Sequence, residues 1–512
     1  MKTKDGINRR AFLGPAAASL AFTIVPRHVL GGPNYVAPSD KLTLAYIGNG
    51  KQGLDELIRL VTNPEVQVVA VCDPEKYSEN YVEFANKGLR SNIRRLLEKP
   101  TWGEGIKGCP GGREVGREIV ETYYAQKRSA ENYKGCRTYA DFRVLLEQEK
   151  DLDSVKVMTT DHLHATVSIP AMKKGKHVVM HKPLANRVYE SRLVVETARK
   201  TGVATHLLAY QGGPNLNIRE LIKNGAIGTL REVHNWTDRP FWPVYHTIPT
   251  DRPPVPKDFD WNLYLGPALD RPYHPYYGHA VFRGWYDFGA GAIADMGFYS
   301  LWPIFATLDL PVPNSIEATT STDSDIIEQV SAVKVNDFSF PNASQVRFRF
   351  PAQGDTPPVP LYWYEGGLKP YTPDALEMDG KEIPVTGTMY VGDKGVILGN
   401  EIYPEKRRRE YMEGEEAPQP RARGGGGGGD SLWVQAFKGG KPSPGNFLNA
   451  ANCGEAICLA GAAIRYARKS SKTIFTEHTT PVLKYDAQNV KFTNVPEANQ
   501  CLVREYRKGW EL

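Results

Sequence analysis

Leu42-Thr43-Leu44-Ala45-Tyr46-Ile47-Gly48-Asn49-Gly50-Lys51-Gln52-Gly53 is the stretch that decides the fold. A short apolar run of this kind suits a strand covered on both faces, and it ends in a turn with the spacing G-x-G-x-x-G. Leu54, Leu57, Ile58, Leu60 and Val61 follow at helical spacing. In this strand–turn–helix setting the first glycine permits the tight turn, the second lets backbone approach a pyrophosphate, and the third allows close helix–strand packing. The phosphate then rests at the helix N-terminus. Gly48, Asn49, Gly50, Lys51, Gln52 and Gly53 are therefore expected to bind a dinucleotide.

The next apolar run, Val66–Cys72, ends on Asp73, twenty residues beyond Gly53. A carboxylate there can accept both ribose hydroxyls of an adenosine and repels a 2′-phosphate, so NAD is favoured over NADP. Two further strands are expected. Ser154–Met158 runs into Thr159-Thr160-Asp161-His162-Leu163-His164, and His177–Met180 runs into His181-Lys182-Pro183. Ligands of open α/β sheets bind outside the carboxyl ends of the strands, which places Thr159, Thr160, Asp161, His162, His164, His181 and Lys182 on the cofactor side. His162 and His164 have no third ligand at a suitable spacing, so packing, or hydrogen bonding near the nicotinamide ribose, is expected of them and not metal binding. Pro183 ends the ladder and is free to take a cis peptide. Lys182 is placed to hydrogen-bond a sugar hydroxyl and ease its deprotonation as hydride leaves the same carbon.

The composition excludes several classes. At 512 residues and 41% hydrophobic content the chain can build two or more cores, and its net charge of +5 is mostly N-terminal. Lys2, Lys4, Arg9, Arg10 and Arg27 against Asp5 put +4 in the first 32 residues, leaving no basic field for a nucleic acid. Asn8-Arg9-Arg10-Ala11-Phe12-Leu13, with an apolar run to Val25, resembles a twin-arginine export signal. A soluble periplasmic protein with no membrane span is expected. The six cysteines, Cys72, Cys109, Cys136, Cys453, Cys458 and Cys501, form no C-x-x-C. Cys109 and Cys136 could pair in an oxidising compartment; most are expected to be buried thiols.

Residues 84–135 form a long insertion whose expected role is a cap, a contact surface or an enclosure for cofactor. Residues 238–286 are dense in aromatics and proline, suited to packing on a sheet or to stacking on sugar faces. In Arg283–Tyr299, Asp295 and Tyr299 stand four residues apart on one helix face. Beyond Leu310 the pattern alternates with period two, as in a sheet with one buried face. Gly424–Gly429 follow no strand and suit a mobile surface loop.

The order of these parts resembles the Gfo/Idh/MocA oxidoreductases from about Lys41 to the C-terminus. The resemblance is carried by Gly48–Gly53, Asp73, Thr160-Asp161-His162-Leu163-His164-Ala165, Lys182-Pro183 and 204–228. It implies a Rossmann domain, a second α/β domain on an open, mostly antiparallel sheet that commonly dimerises, and a sugar-like substrate between them. The family's usual Glu-Lys-Pro is His181-Lys182-Pro183 here. Its usual Asp-x-x-x-His, with histidine as general base, is Asp295-x-x-x-Tyr299, as in the glucose–fructose oxidoreductase branch, where tyrosine takes that role. A tyrosine serves as base only where positive charge lowers its pKa, and Lys182 is the expected source. With His181 neutral, Tyr299 is the expected partner of Lys182.

The expected organisation is a signal peptide and linker over 1–40, a Rossmann domain over 41–210 with the 84–135 insertion, and a substrate and oligomerisation domain over 211–512. The expected activity is hydride transfer between a tightly held NAD and a secondary alcohol of a sugar, glycoside or cyclitol. Lys182, Asp295 and Tyr299 are the expected catalytic group, with Arg283 and Trp285 beside them at the substrate and Gln211 at the pocket edge. A homodimer or homotetramer through the second sheet is expected. A glycoside hydrolase or lyase working by transient C3 oxidation would use the same residues, and a sugar-binding module with a vestigial cofactor site is the non-enzymatic alternative.

Overall fold

The computed structural model describes residues 40–83, 88–128, 133–352, 358–413, 429–470 and 481–512. The expected export signal lies outside these residues, as do Gly424 to Gly428 of the glycine run.

Strands β1 (Leu42–Ile47) and β2 (Val66–Cys72) pair in parallel. A ribbon of β3 (Ser78–Tyr81) and β4 (Cys109–Gly111) follows. Then come β5 (Arg137–Tyr139), β6 (Ser154–Val157), β7 (His177–Met180) and β8 (Thr205–Leu207). Apart from the ribbon, these strands form one parallel sheet in the order β5-β2-β1-β6-β7-β8. The order reverses between β1 and β6, and a crevice opens at that switch point. Helices cover both faces, so β6 is buried along its whole length, Ser154 and Lys156 included, and β1 nearly so.

The second sheet is built from β9 (Leu230–Trp236), β10 (Ser315–Thr320), β13 (Ser344–Arg349), β14 (Leu361–Glu365), β15 (Gly387–Gly392), β16 (Val396–Leu398), β17 (Glu401–Tyr403), β18 (Leu483–Asp486) and β19 (Lys491–Phe492). It is antiparallel except where β14 runs beside β9. A separate hairpin joins β11 (Asp323–Ile327) to β12 (Val330–Lys334). The strict in–out alternation of β13 shows that one face of the large sheet is buried. Helices Gly291–Leu308 and Phe447–Ser470 contribute Phe298, Leu301, Ile457 and Ile464 to the core that also holds Phe348 and Trp363 of that face. The Phe447–Lys469 part of the second helix is long and apolar enough to cross a membrane, but it is largely buried in this core.

The chain returns to its first sheet near the end. Trp433, Val434 and Phe437 of the helix Ser431–Phe437 pack in the core formed by β1, β2 and Val179. Trp510 of the tail is buried against Phe142, with the Arg143 guanidinium 4.1 Å above its ring. The six cysteines are buried and free, so Cys109 and Cys136 do not pair.

Candidate functional site

The glycine turn has the geometry its spacing predicts. Gly48 has φ +101°, and a Cβ there would lie 2.5 Å from the Met158 backbone of the neighbouring strand end. A Cβ on Gly53 would lie 2.1 Å from the Gly48 carbonyl oxygen. Gly50 caps the helix Lys51–Leu60 without a side-chain hydrogen bond. A cavity of about 520 Å³ opens above it, lined by Gly48, Gly50, Lys51, Gln52, Gly53, Asp73, Thr159, Thr160, Asp161, His181 and Arg283 among others. Sequence reasoning missed the roof of this cavity. Tyr77–Val82 of the ribbon, Pro256–Phe259, Tyr264 and His279 all line it. Tyr81 follows no period that would have flagged it, and Pro256–Phe259 reaches the site through a bridge from Phe259 to Glu75.

Asp73 stands at the end of β2, as expected. Its Oδ2 accepts from Asn49 N at 2.5 Å and its Oδ1 from Glu75 N at 2.8 Å. Burial outweighs these bonds and the nearby Arg113, pushing its pKa up to about 6. Glu75, missed by sequence reasoning, is pushed up to about 8 by burial and by Asp73. The residues fit a dinucleotide: the cradle over Gly50 is one that a side chain would intrude on, and the carboxylate at the strand end faces the same cavity.

Four expected cofactor ligands do something else. The Asn49 side chain turns away from the cavity, donating to the Cys72 carbonyl at 3.0 Å under the helix Arg113–Lys127. His162 is buried, with Nε2 2.9 Å from the Tyr264 carbonyl and Nδ1 3.0 Å from the Thr160 hydroxyl. Burial pushes its pKa down to about 3, so the ring is neutral; with Nδ1 also 3.2 Å from the Phe288 carbonyl, it staples the strand end to the second domain. His164, equally buried, spans the Pro183 and Thr159 carbonyls at 2.5 and 3.1 Å. Gln211 is exposed and is not among the residues lining the cavity. Short polar residues at a strand end serve packing as readily as ligands, and their spacing does not separate the two.

Behind His181 and Arg283 lies a charged cluster. Lys182, whose peptide to Pro183 is cis, places Nζ 2.5 Å from Asp295 Oδ1, and Arg283 Nε reaches the same oxygen at 3.2 Å. Asp295 sits on the helix Gly291–Leu308, whose start is tied to the sheet by Ala290 N donating to Asp161 Oδ2 at 3.0 Å. Burial alone would raise the Asp295 pKa, but Lys182 and Arg283 hold it well below the usual carboxylate range. Burial lowers Lys182 against the opposing pull of Asp295. The pair is ionised.

Tyr299 is brought to this cluster but not in the expected state. Burial and then Asp295 push its pKa up, so its hydroxyl is protonated. The Lys182 charge is spent on Asp295 and stands 5.4 Å over the Tyr299 ring, not at its oxygen. The hydroxyl instead lies 3.3 Å from His181 Nε2. His181 is neutral because burial and Lys182 lower its pKa. The expected Lys182–Tyr299 pairing is thus replaced by Lys182–Asp295 and Tyr299–His181. Trp285 is also corrected. It is buried, stacks on Tyr245 and donates Nε1 to the Tyr276 carbonyl at 2.7 Å, a packing role away from the cavity.

Two segments of the chain match models of known families. Residues 113–208 match the GFO_IDH_MocA oxidoreductase family's NAD-binding Rossmann fold, and 214–346 match its C-terminal alpha/beta domain. The chain is 32% identical over 106 residues to a dTDP-3,4-didehydro-2,6-dideoxy-alpha-D-glucose 3-reductase of Streptomyces violaceoruber, covering 20% of this chain and 31% of that one. It is 31% identical over 94 residues to levoglucosan dehydrogenase of Pseudarthrobacter phenanthrenivorans, 18% of this chain and 24% of the other. A glycosyl hydrolase family 109 protein of Shewanella pealeana matches at 25% over 44% of each chain. The chain thus spans under half the length of each of these relatives.

Proposed function

We propose that the chain is a member of the Gfo/Idh/MocA oxidoreductase family and an exported NAD-dependent enzyme acting on a secondary alcohol, or the matching ketone, of a sugar, glycoside or cyclitol. The observation that carries the reading is the cluster of Lys182, Arg283, Asp295, Tyr299 and His181 at the end of β7, next to a cavity that begins at the glycine turn. Gly48–Gly53 would hold the pyrophosphate and Asp73 the adenosine ribose. When bound, the nicotinamide supplies or takes the hydride.

The side chains divide the remaining work. Lys182, fixed by Asp295, presents an ammonium to the substrate oxygen and stabilises negative charge there. Tyr299 carries the proton that a ketone oxygen needs on reduction; in the opposite direction it takes that proton back, with His181 Nε2 as the neighbouring acceptor. Relatives that reduce or oxidise sugars support a carbohydrate substrate. Export rests on Arg9-Arg10 and the apolar run after them, and the half-exposed face of the second sheet is proposed to pair with another copy.

The test is mass spectrometry of small molecules released from the denatured protein, followed by a panel of sugars, glycosides and cyclitols with NADH absorbance as readout. NAD(H) release and turnover that falls by about 10²–10⁴ in Lys182→Ala are expected. Intact turnover in that variant sinks the mechanism. Glycoside cleavage without net NADH would replace it by the redox-neutral alternative.

A further inference from the structure

Above the glycine turn two walls of the cavity meet. One is Tyr81, whose Cε1 lies 3.0 Å from where a Gly50 side chain would begin. The other is His279, on the second-domain segment His279–Gly284 that leads to Arg283. Their rings touch edge to face with centroids 4.2 Å apart, and both line the cavity. Tyr81 is fixed in place by the pairing of β3 with β4, and its ring lies so close over Gly111 that a Cβ there would be 2.4 Å away.

His279 is unusual in two independent ways. Its φ of +45° lies in the left-handed region, uncommon for residues other than glycine although histidine, asparagine and aspartate enter it more readily than most. Its Nδ1 is buried at the cavity wall with no hydrogen-bond partner. Burial holds the ring neutral, with a pKa pushed down to about 4. Backbone strain and an unpaired buried nitrogen both cost stability, and together at a cavity wall they mark a ligand contact.

We infer that His279 and Tyr81 form a clasp across the bound pyridine dinucleotide, with His279 Nδ1 contacting its ribose–pyrophosphate stretch. The inference rests on the cavity being the dinucleotide site. Because the two walls belong to different domains, the contact must part for the dinucleotide to leave. The clasp therefore slows cofactor exchange without touching the reacting atoms.

The test loads full-length protein with NADH and follows its fluorescence on dilution into excess NAD. His279→Gly, which suits the left-handed backbone, and Tyr81→Ala, from the opposite wall, are each expected to speed NADH release by about tenfold or more. His279→Asn tolerates the same backbone and keeps a side-chain acceptor, so its release rate should stay within about threefold of the unaltered protein. If the glycine variant does not fold, Tyr81→Ala carries the same test. Release within about twofold of the unaltered rate in the folded variants overturns the clasp alone. Unaltered protein that binds no NADH overturns the dinucleotide site and the clasp with it.

Discussion

Lys182 and Asp295 face each other at 2.5 Å in a buried setting, and Arg283 shares the same carboxylate oxygen at 3.2 Å. The arrangement is asymmetric, since the one carboxylate serves two cations. Asp295→Asn leaves both cations without that counter-charge and should cost about 3–5 kcal/mol of stability. Lys182→Met leaves Asp295 paired with Arg283 and should cost clearly less while removing turnover. Urea denaturation at constant m separates the two. The Asp295 pKa is depressed in the fold, so its contribution is fully present above the unfolded value of about 4 and is lost only as pH falls below the usual carboxylate range. The Asp295→Asn penalty should therefore be flat between about pH 5 and 8.

Asp73 gives the opposite sign. Burial raises its pKa to about 6, so the folded protein binds this proton more tightly than the unfolded chain does. Accepting two ribose hydroxyls requires the carboxylate. NADH affinity should fall as pH drops through about 6, by up to about tenfold per unit. Asp73→Asn should bind more weakly at neutral pH and lose that dependence. A Kd series by fluorescence titration checks both, and a profile in Asp73→Asn as steep as in the unaltered protein would contradict it.

The glycines of the turn should separate folding from binding. Gly53→Ala puts a methyl 2.1 Å from a backbone oxygen that cannot step aside cheaply, so about 1–3 kcal/mol of stability should be lost. Gly50→Ala meets only the Tyr81 ring, at 3.0 Å. It should lose less stability than Gly53→Ala, since a ring and not backbone must give, while NADH binding weakens by about tenfold or more because the methyl narrows the approach to the pyrophosphate. Thermal melts beside NADH titrations give the comparison.

The Rossmann half was legible because strand, turn and helix each carry a local signal. Leu42–Ile47, Val66–Cys72 and His177–Met180 form strands over the residues that apolar runs predict. The i, i+4 placement of Asp295 and Tyr299 on one helix was equally local. What could not be seen was which charges meet across distant segments. Lys182 chose Asp295 over Tyr299 because burial favours a full counter-charge over a phenol, and that competition depends on a contact 113 residues away in sequence. The cavity roof failed to show for the same reason, since Tyr81 of β3 and His279 of the second domain, far apart in sequence, come together only in the folded chain.

Arg283 and Trp285, two residues apart, were expected to share a substrate role, and their environments now predict different behaviour. Arg283 lines the cavity and backs onto Asp295, whereas Trp285 is closed in by Tyr245, Tyr277 and Phe338. Trp285→Phe removes the Nε1–H donation to Tyr276 and part of a packed ring, costing about 1–3 kcal/mol, yet kcat/KM should stay within about threefold. Arg283→Met keeps Asp295 neutralised by Lys182, so the fold should tolerate it, while kcat/KM falls by about 10² through loss of a cation at the cavity wall. Steady-state kinetics and melting curves on the two variants read these effects separately. A Trp285→Phe variant that keeps its stability and loses its kcat/KM would return the tryptophan to the substrate.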